Sequence, residues 1–344
     1  MQLTSTEKID VINIGLMLFS CCIAILIPFE LFLLVYAILG PLHYLTEISW
    51  LHDRKYFSKG KYDAPILITI GLLLTAFQFK NKLASYIDVT FPEFFNAQLI
   101  YIALLGSIIF VTIKNNFYRI AGLVLLIITS ALSEHMYFFL TIFIPTLIHV
   151  YIFTGLFMLY GTLKSKSRTG IYAVLALILC PFILYNVYPN TYFFPIHSGN
   201  KVIYDDFFKA MNVRSLLHIM HYPAPIQTDL KADPMSLWDN IVYHSREGIM
   251  LMRFIAFAYT YHYLNWFSKT NIIQWHKVPK GRFVAVIIMW LVSIGIYVAD
   301  YRSGLEWLFF LSFLHVLLEF PLNVTSIIGI GKSLAGKFKP VAAS

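Results

Sequence analysis

Four histidines of the chain stand in apolar stretches, where an ionisable side chain is costly: His43 in GPLHYLTEISW, His149 in PTLIHVYIF, His262 in YTYHYLNWF and His315 in FLHVLLEFP. Two of them carry a glutamate four residues on, Glu47 after His43 and Glu319 after His315. Residues at i and i+4 share a helix face, so each Glu reaches the same region as its His. Four imidazoles at similar depth on four helices are the donor set of a metal site inside a bundle. Nitrogen donors with carboxylates suit iron or zinc, whereas sulfur-loving metals take Cys or Met. Glu47 and Glu319 then either bind the metal or orient a ligating His. Plainer roles compete. Any one such His is equally a hydrogen-bonded packing residue. A helix-end ion pair with Arg54 or Lys55 is open to the first His–Glu pair, and the carbonyl freed by Pro321 is open to His315.

The elements that must position these residues are membrane spans. The 344 residues are 58% hydrophobic and only 13% charged, with a mean hydropathy of +0.70. A soluble protein carries roughly a quarter charged residues. Such a chain lacks the polar surface to face water, which implies an all-α, polytopic integral membrane helical bundle with one transmembrane domain over residues 1–344. A span needs about 20 apolar residues. The run from Val11 to Trp50 is twice that long, and Pro28, well placed to begin a helix, divides it. This reading gives about ten transmembrane helices, near 10–26, 28–51, 64–80, 97–114, 117–132, 136–160, 170–188, 247–268, 282–299 and 304–330.

Ten spans place both termini on one side. With the N- and C-termini cytoplasmic, the inner segments hold seventeen of the 26 Lys and Arg residues, as the positive-inside rule requires. An eight- or nine-span arrangement spoils that alternation. The net charge of +8 is thus assigned to retained loops and not to nucleic acid. The four His-bearing spans all run from outside to inside, with each His in the middle or inner half. Segment 189–246, which holds five prolines, is expected to form an extracytoplasmic cap between spans 7 and 8. Cys21, Cys22 and Cys180 lie in apolar stretches and suggest no disulfide framework. His52 and His276 belong to basic loops, His197, His218, His221 and His244 to the cap, and His135 to an outer turn. Tyr44, Tyr259, Tyr261 and Trp266 flank the candidate ligands and either line a cavity or pack.

The patches GPLHYLTE at 40–47, TLIH at 146–149, YHYLNW at 261–266 and LHVLLE at 314–319 resemble, in order and rough spacing, the Brp/Blh family of integral-membrane β-carotene 15,15′-dioxygenases. That family carries an early P-H-x-x-x-D element, a mid-chain I-I-H element, a later H-x-x-x-H element and a near-terminal H-x-x-x-D element. Here Glu stands for Asp, Trp266 replaces the second His of the later element, and one more residue precedes His43. The resemblance implies that His43, His149, His262 and His315 ligate Fe(II) in a non-haem oxygenase. The expected partners are O2, a lipophilic isoprenoid, carotenoid or lipid substrate, and the lipids of a bacterial plasma membrane. Two other classes stay open. One is a proton-coupled transporter, since intramembrane His and Glu also form proton relays. The other is a haem-b protein, with two His as axial ligands.

Overall fold

The computed structural model describes residues 4–86, 90–92, 94–130, 136–137, 139–187, 242–243 and 245–337. Its long elements are α1 (Ser5–Leu26), α2 (Pro28–Asp53), α3 (Asp63–Gln78), α4 (Phe95–Thr112) and α5 (Asn116–Ile128). They continue with α6 (Phe139–Phe153, then Thr154–Ser165), α7 (Arg168–Asn186), α8 (Arg246–Ser268), α9 (Lys280–Ala299) and α10 (Tyr301–Lys337). No strand occurs among the described residues. Each of the ten expected segments is a helix. The cap proposed at 189–246 lies outside the described residues except at its end, as do His135, His197, His218, His221 and His244.

Local chemistry sets several helix starts. Thr4 and Glu7 form a reciprocal capping box at α1, while Asn115, Ser167 and Ser245 accept backbone N–H groups at the starts of α5, α7 and α8. Ser303 N–H donates to Asp300 Oδ2 at the head of α10. Pro28 opens α2 as expected. Pro41 and Pro321 lie inside α2 and α10, and neither divides its helix. The first half of α6 departs from a regular α-helix. It is a π-helix, with Pro145 inside it and no N–H there to serve an i−4 ladder.

Contacts between helix ends show that successive helices alternate in direction. At one end, Asp10 accepts from Ser167 and Thr169, Arg282 donates to Asp53, and Arg119 pairs with buried Asp63. That end holds the first turn of α1, the last turns of α2 and α8, and the loops rich in Lys and Arg; we call it the basic end. At the opposite end, Lys82 pairs with Glu306, and Arg253 near the start of α8 donates to the Val187 carbonyl just past α7.

Among the described residues, seven helices are long and apolar enough to cross a membrane: α1, α2, α4, α6, α7, α9 and α10. Helices α3 and α5 are apolar but shorter. Helix α8 shows why apolarity and centrality differ. Fifteen of its 23 residues are buried, among them Arg253, Thr260, His262 and Asn265. Only two of the 20 residues of apolar α9 are buried; Val284, Ile288, Leu291 and Val298 face outward. An exposed apolar face of this kind belongs against lipid. Two apolar clusters fill the interior. One joins α1, α2, α7 and α8, the other α3, α4, α10 and the π-helical part of α6. The four candidate histidines lie along their seam.

Candidate metal centre

His43 comes from α2, His149 from the π-helical part of α6, His262 from α8 and His315 from α10. All four are buried, and they meet. Taken in the order 43, 262, 149, 315 and back to 43, adjacent ring centroids are 4.7, 5.0, 4.9 and 5.4 Å apart. His43 Nε2 lies 3.0 Å from His262 Nε2, and His149 Nε2 lies 3.1 Å from His315 Nε2. His43, His262 and His315 each offer a donor atom within 4.8 Å of the other two.

The outer nitrogens decide which tautomer each ring adopts. Thr154 Oγ1 donates to the Val150 carbonyl, so its lone pairs are turned to accept from His262 Nδ1, 2.8 Å away. Glu319 Oε2 lies 2.9 Å from His149 Nδ1. The Leu311 carbonyl faces His315 Nδ1 at 3.4 Å. Thr154 Oγ1 and the Leu311 carbonyl accept, so Nδ1 of His262 and of His315 carries the hydrogen and their Nε2 atoms keep the lone pair; Glu319 Oε2 and His149 Nδ1 are close without forming a hydrogen bond. Two of the four rings are therefore set with bare Nε2 atoms, one in each close Nε2 pair. Each close contact, at 3.0 and 3.1 Å, thus sets a bare Nε2 against a second imidazole nitrogen, an arrangement that a cation between them would satisfy.

The spacing fits such a cation. Imidazole binds first-row metals of this kind at about 2.0–2.1 Å, which puts right-angle neighbours about 2.9 Å apart and tetrahedral ones about 3.4 Å apart. The two measured separations lie near the right-angle value. Glu47 Oε2 is 3.1 Å from His43 Nε2, the inward nitrogen, and has no hydrogen-bond partner among the described residues. The donor set, four imidazoles with one carboxylate on the inner side, fits a non-haem iron or zinc ion.

The two His–Glu pairs resolve differently from their shared spacing. Glu47 stays with its own His43, and no ion pair joins it to Arg54, which lies over the Trp50 ring instead. Glu319 turns to His149 of a neighbouring helix. The partner of His315 Nδ1 is Leu311, one turn before it, and not the carbonyl that Pro321 frees. Of the flanking aromatics, Tyr44 stacks on the His315 ring with centroids 4.2 Å apart, and its hydroxyl lies 2.9 Å from that of Tyr263. Tyr44 and Tyr259 line a cavity beside the histidines, whereas Tyr261 turns away to Asn13 and Trp266 donates to Thr46. His52 and His276 are exposed and remote from the centre.

Sequence reasoning missed Thr154. In a π-helix, hydrogen bonds run from i to i+5. That register brings Thr154 onto the face of His149, five residues earlier, whereas regular α-helical spacing separates positions five apart. It also missed Tyr36, Pro145, Tyr263 and Ser312 as cavity-lining residues; all four stand at helical spacings before, or directly beside, a candidate His.

The cavity is small, with a volume of about 20 Å³, and is bounded by Tyr36, Tyr44, Pro145, Tyr259, Tyr263 and Ser312 together with His149, His262 and His315. The four His-bearing helices all run from the opposite end towards the basic end. Tyr36, Pro145, Tyr259 and Ser312 precede the His of their own helices, so the cavity lies on the opposite-end side of the imidazole ring. Glu47, Thr154 and Glu319 follow their His and lie on the basic-end side. No family model, curated protein or solved structure matches the chain.

Proposed function

We propose that the chain is a membrane-embedded non-haem iron oxygenase acting on an apolar isoprenoid, carotenoid or lipid. The observation that carries this reading is the convergence of four buried imidazoles, with Nε2 pairs 3.0 and 3.1 Å apart and with His262 and His315 held in the metal-ready tautomer by Thr154 and the Leu311 carbonyl. His43, His149, His262 and His315 hold the metal, Glu47 completes its sphere, and Glu319 orients His149. Fe(II) bound there supplies activation of O2 for insertion into an unreactive apolar molecule.

The chain does the rest. The cavity of about 20 Å³ has room for about one small molecule the size of water or O2, far below the roughly 300–1,000 Å³ of sites that enclose a drug-sized ligand. In this reading the reacting segment of a longer molecule, entering laterally from the bilayer, must part the aromatic walls to reach the centre. Tyr36, Tyr44, Tyr259 and Tyr263 give that segment aromatic walls, and the burial of all four histidines excludes bulk water. In this reading all ten helices cross the bilayer of a bacterial plasma membrane, α3 and α5 as short spans and α8 as a shielded central one. The basic end faces the cytoplasm, and segment 189–246 caps the other face.

Metal analysis of detergent-purified protein tests the proposal. About one equivalent of iron per chain is expected, without a haem Soret band, and with loss of iron in His262→Ala. Protein that stays metal-free after anaerobic Fe(II) loading, or that carries haem, overturns it.

A further inference from the structure

The basic-end side of the imidazole ring carries a second feature, independent of any metal. Helix α10 continues beyond His315 with Glu319, Asn323 and Ser326, at spacings of four and three that share one helix face. All three are buried. Yet Glu319 Oε2, both polar atoms of the Asn323 amide and Ser326 Oγ have no hydrogen-bond partner among the described residues. On α2, which packs against α10, Glu47 Oε2 and Trp50 Nε1 one turn later are in the same condition. A buried polar atom left unpaired is costly, and proteins meet that cost with ordered water where the lining is polar.

The distribution is one-sided. On α10, every orphaned atom follows His315 in sequence, towards the basic end. Glu319 to Ser326 spans about 10 Å along the helix, the length of a short file of waters. Beyond it, Gly329 lies against the Tyr160 ring of α6. We propose that a water-filled path runs along the Glu319–Asn323–Ser326 face of α10, from solvent at the basic end to the carboxylates beneath the histidines. The centre is then two-sided, with the small aromatic-walled cavity on one side and a polar path for water and protons on the other.

Cysteine accessibility tests this, in full-length protein in sealed vesicles with Cys21, Cys22 and Cys180 replaced by Ala. Ser326→Cys and Asn323→Cys are probed with a charged, membrane-impermeant methanethiosulfonate supplied to the basic end. The control is Ile327→Cys. Ile327 is 49% exposed and Ser326 only 1%, so exposure alone makes position 327 the faster one. A wet path reverses the order: reaction at 326 is at least about tenfold faster, because such reagents attack a hydrated thiolate. Adding Ser326→Leu to Asn323→Cys should slow labelling at 323 by a similar factor. Equal or slower reaction at 326, or no effect of Ser326→Leu, overturns the proposal. Neither rate depends on bound metal, so the result stands apart from the oxygenase reading.

Discussion

The pairs His43/Glu47 and His315/Glu319 have the same spacing and the same helix direction, yet their glutamates do different things. On α2 the carboxylate returns to its own histidine, 3.1 Å from the inward-facing nitrogen. On α10 it reaches the outward-facing nitrogen of His149 on α6, at 2.9 Å. The i, i+4 rule puts both carboxylates one turn below an imidazole; what stands beside that turn comes from the neighbouring helix. In the proposed centre Glu47 thus joins the donor set, and Glu319 positions a donor. Identical motifs in one chain need not have identical roles.

The sharpest way to break this comparison is to remove a ring. His43→Ala and His315→Ala should each weaken metal binding by more than the roughly 10–100-fold expected for loss of an outer partner, measured by metal titration. If one ring is dispensable, the centre is not fourfold. Next come the glutamates. Glu319→Gln should cost about 10–100-fold in affinity with the Co(II) ligand-field spectrum of substituted protein unchanged, whereas Glu47→Gln should change the spectrum itself. Identical spectra for both would make Glu47 an outer residue as well.

A smaller effect is expected at Thr154. Thr154→Val leaves His262 Nδ1 without its acceptor and should weaken metal binding about tenfold, near the lower end for such partners, while Thr154→Ser restores it. Smallest is Tyr44. Tyr44→Leu removes the ring stacked on His315, a contact worth about 0.5–1.5 kcal/mol, or about 2–10-fold. Tyr44→Phe keeps the ring and should bind metal like the parent. An effect of Tyr44→Phe as large as that of Tyr44→Leu would move the role from the ring to the hydroxyl.

Much of this was legible before any coordinates. Pro28 marked the break between α1 and α2, and the apolar runs marked ten helices, because backbone hydrogen bonding in an apolar medium leaves little choice of structure. His43, His149, His262 and His315 stood out through the cost of placing imidazole in a span, and all four meet. Glu319 was found, but with two roles open and His315 as its nearest expected partner. Thr154 and Tyr263 were not singled out, because a Thr or Tyr within a span is ordinary until its neighbours are known. Helix α8 is the reverse case. Its Arg253 and Asn265 make it the least membrane-like of the long helices, and its central place is what shields them.

The amino-acid order alone determined which segments are helical and which side chains are too costly to bury without a purpose. Both follow from local hydrogen bonding and from transfer energies that each residue carries with it. Only the tertiary structure decided that four rings face one another, that two of their outer nitrogens meet acceptors, and that Glu47 and Glu319 part company. Those facts depend on helix rotation and on the π-helical register of α6, which arise from packing between helices far apart in the chain.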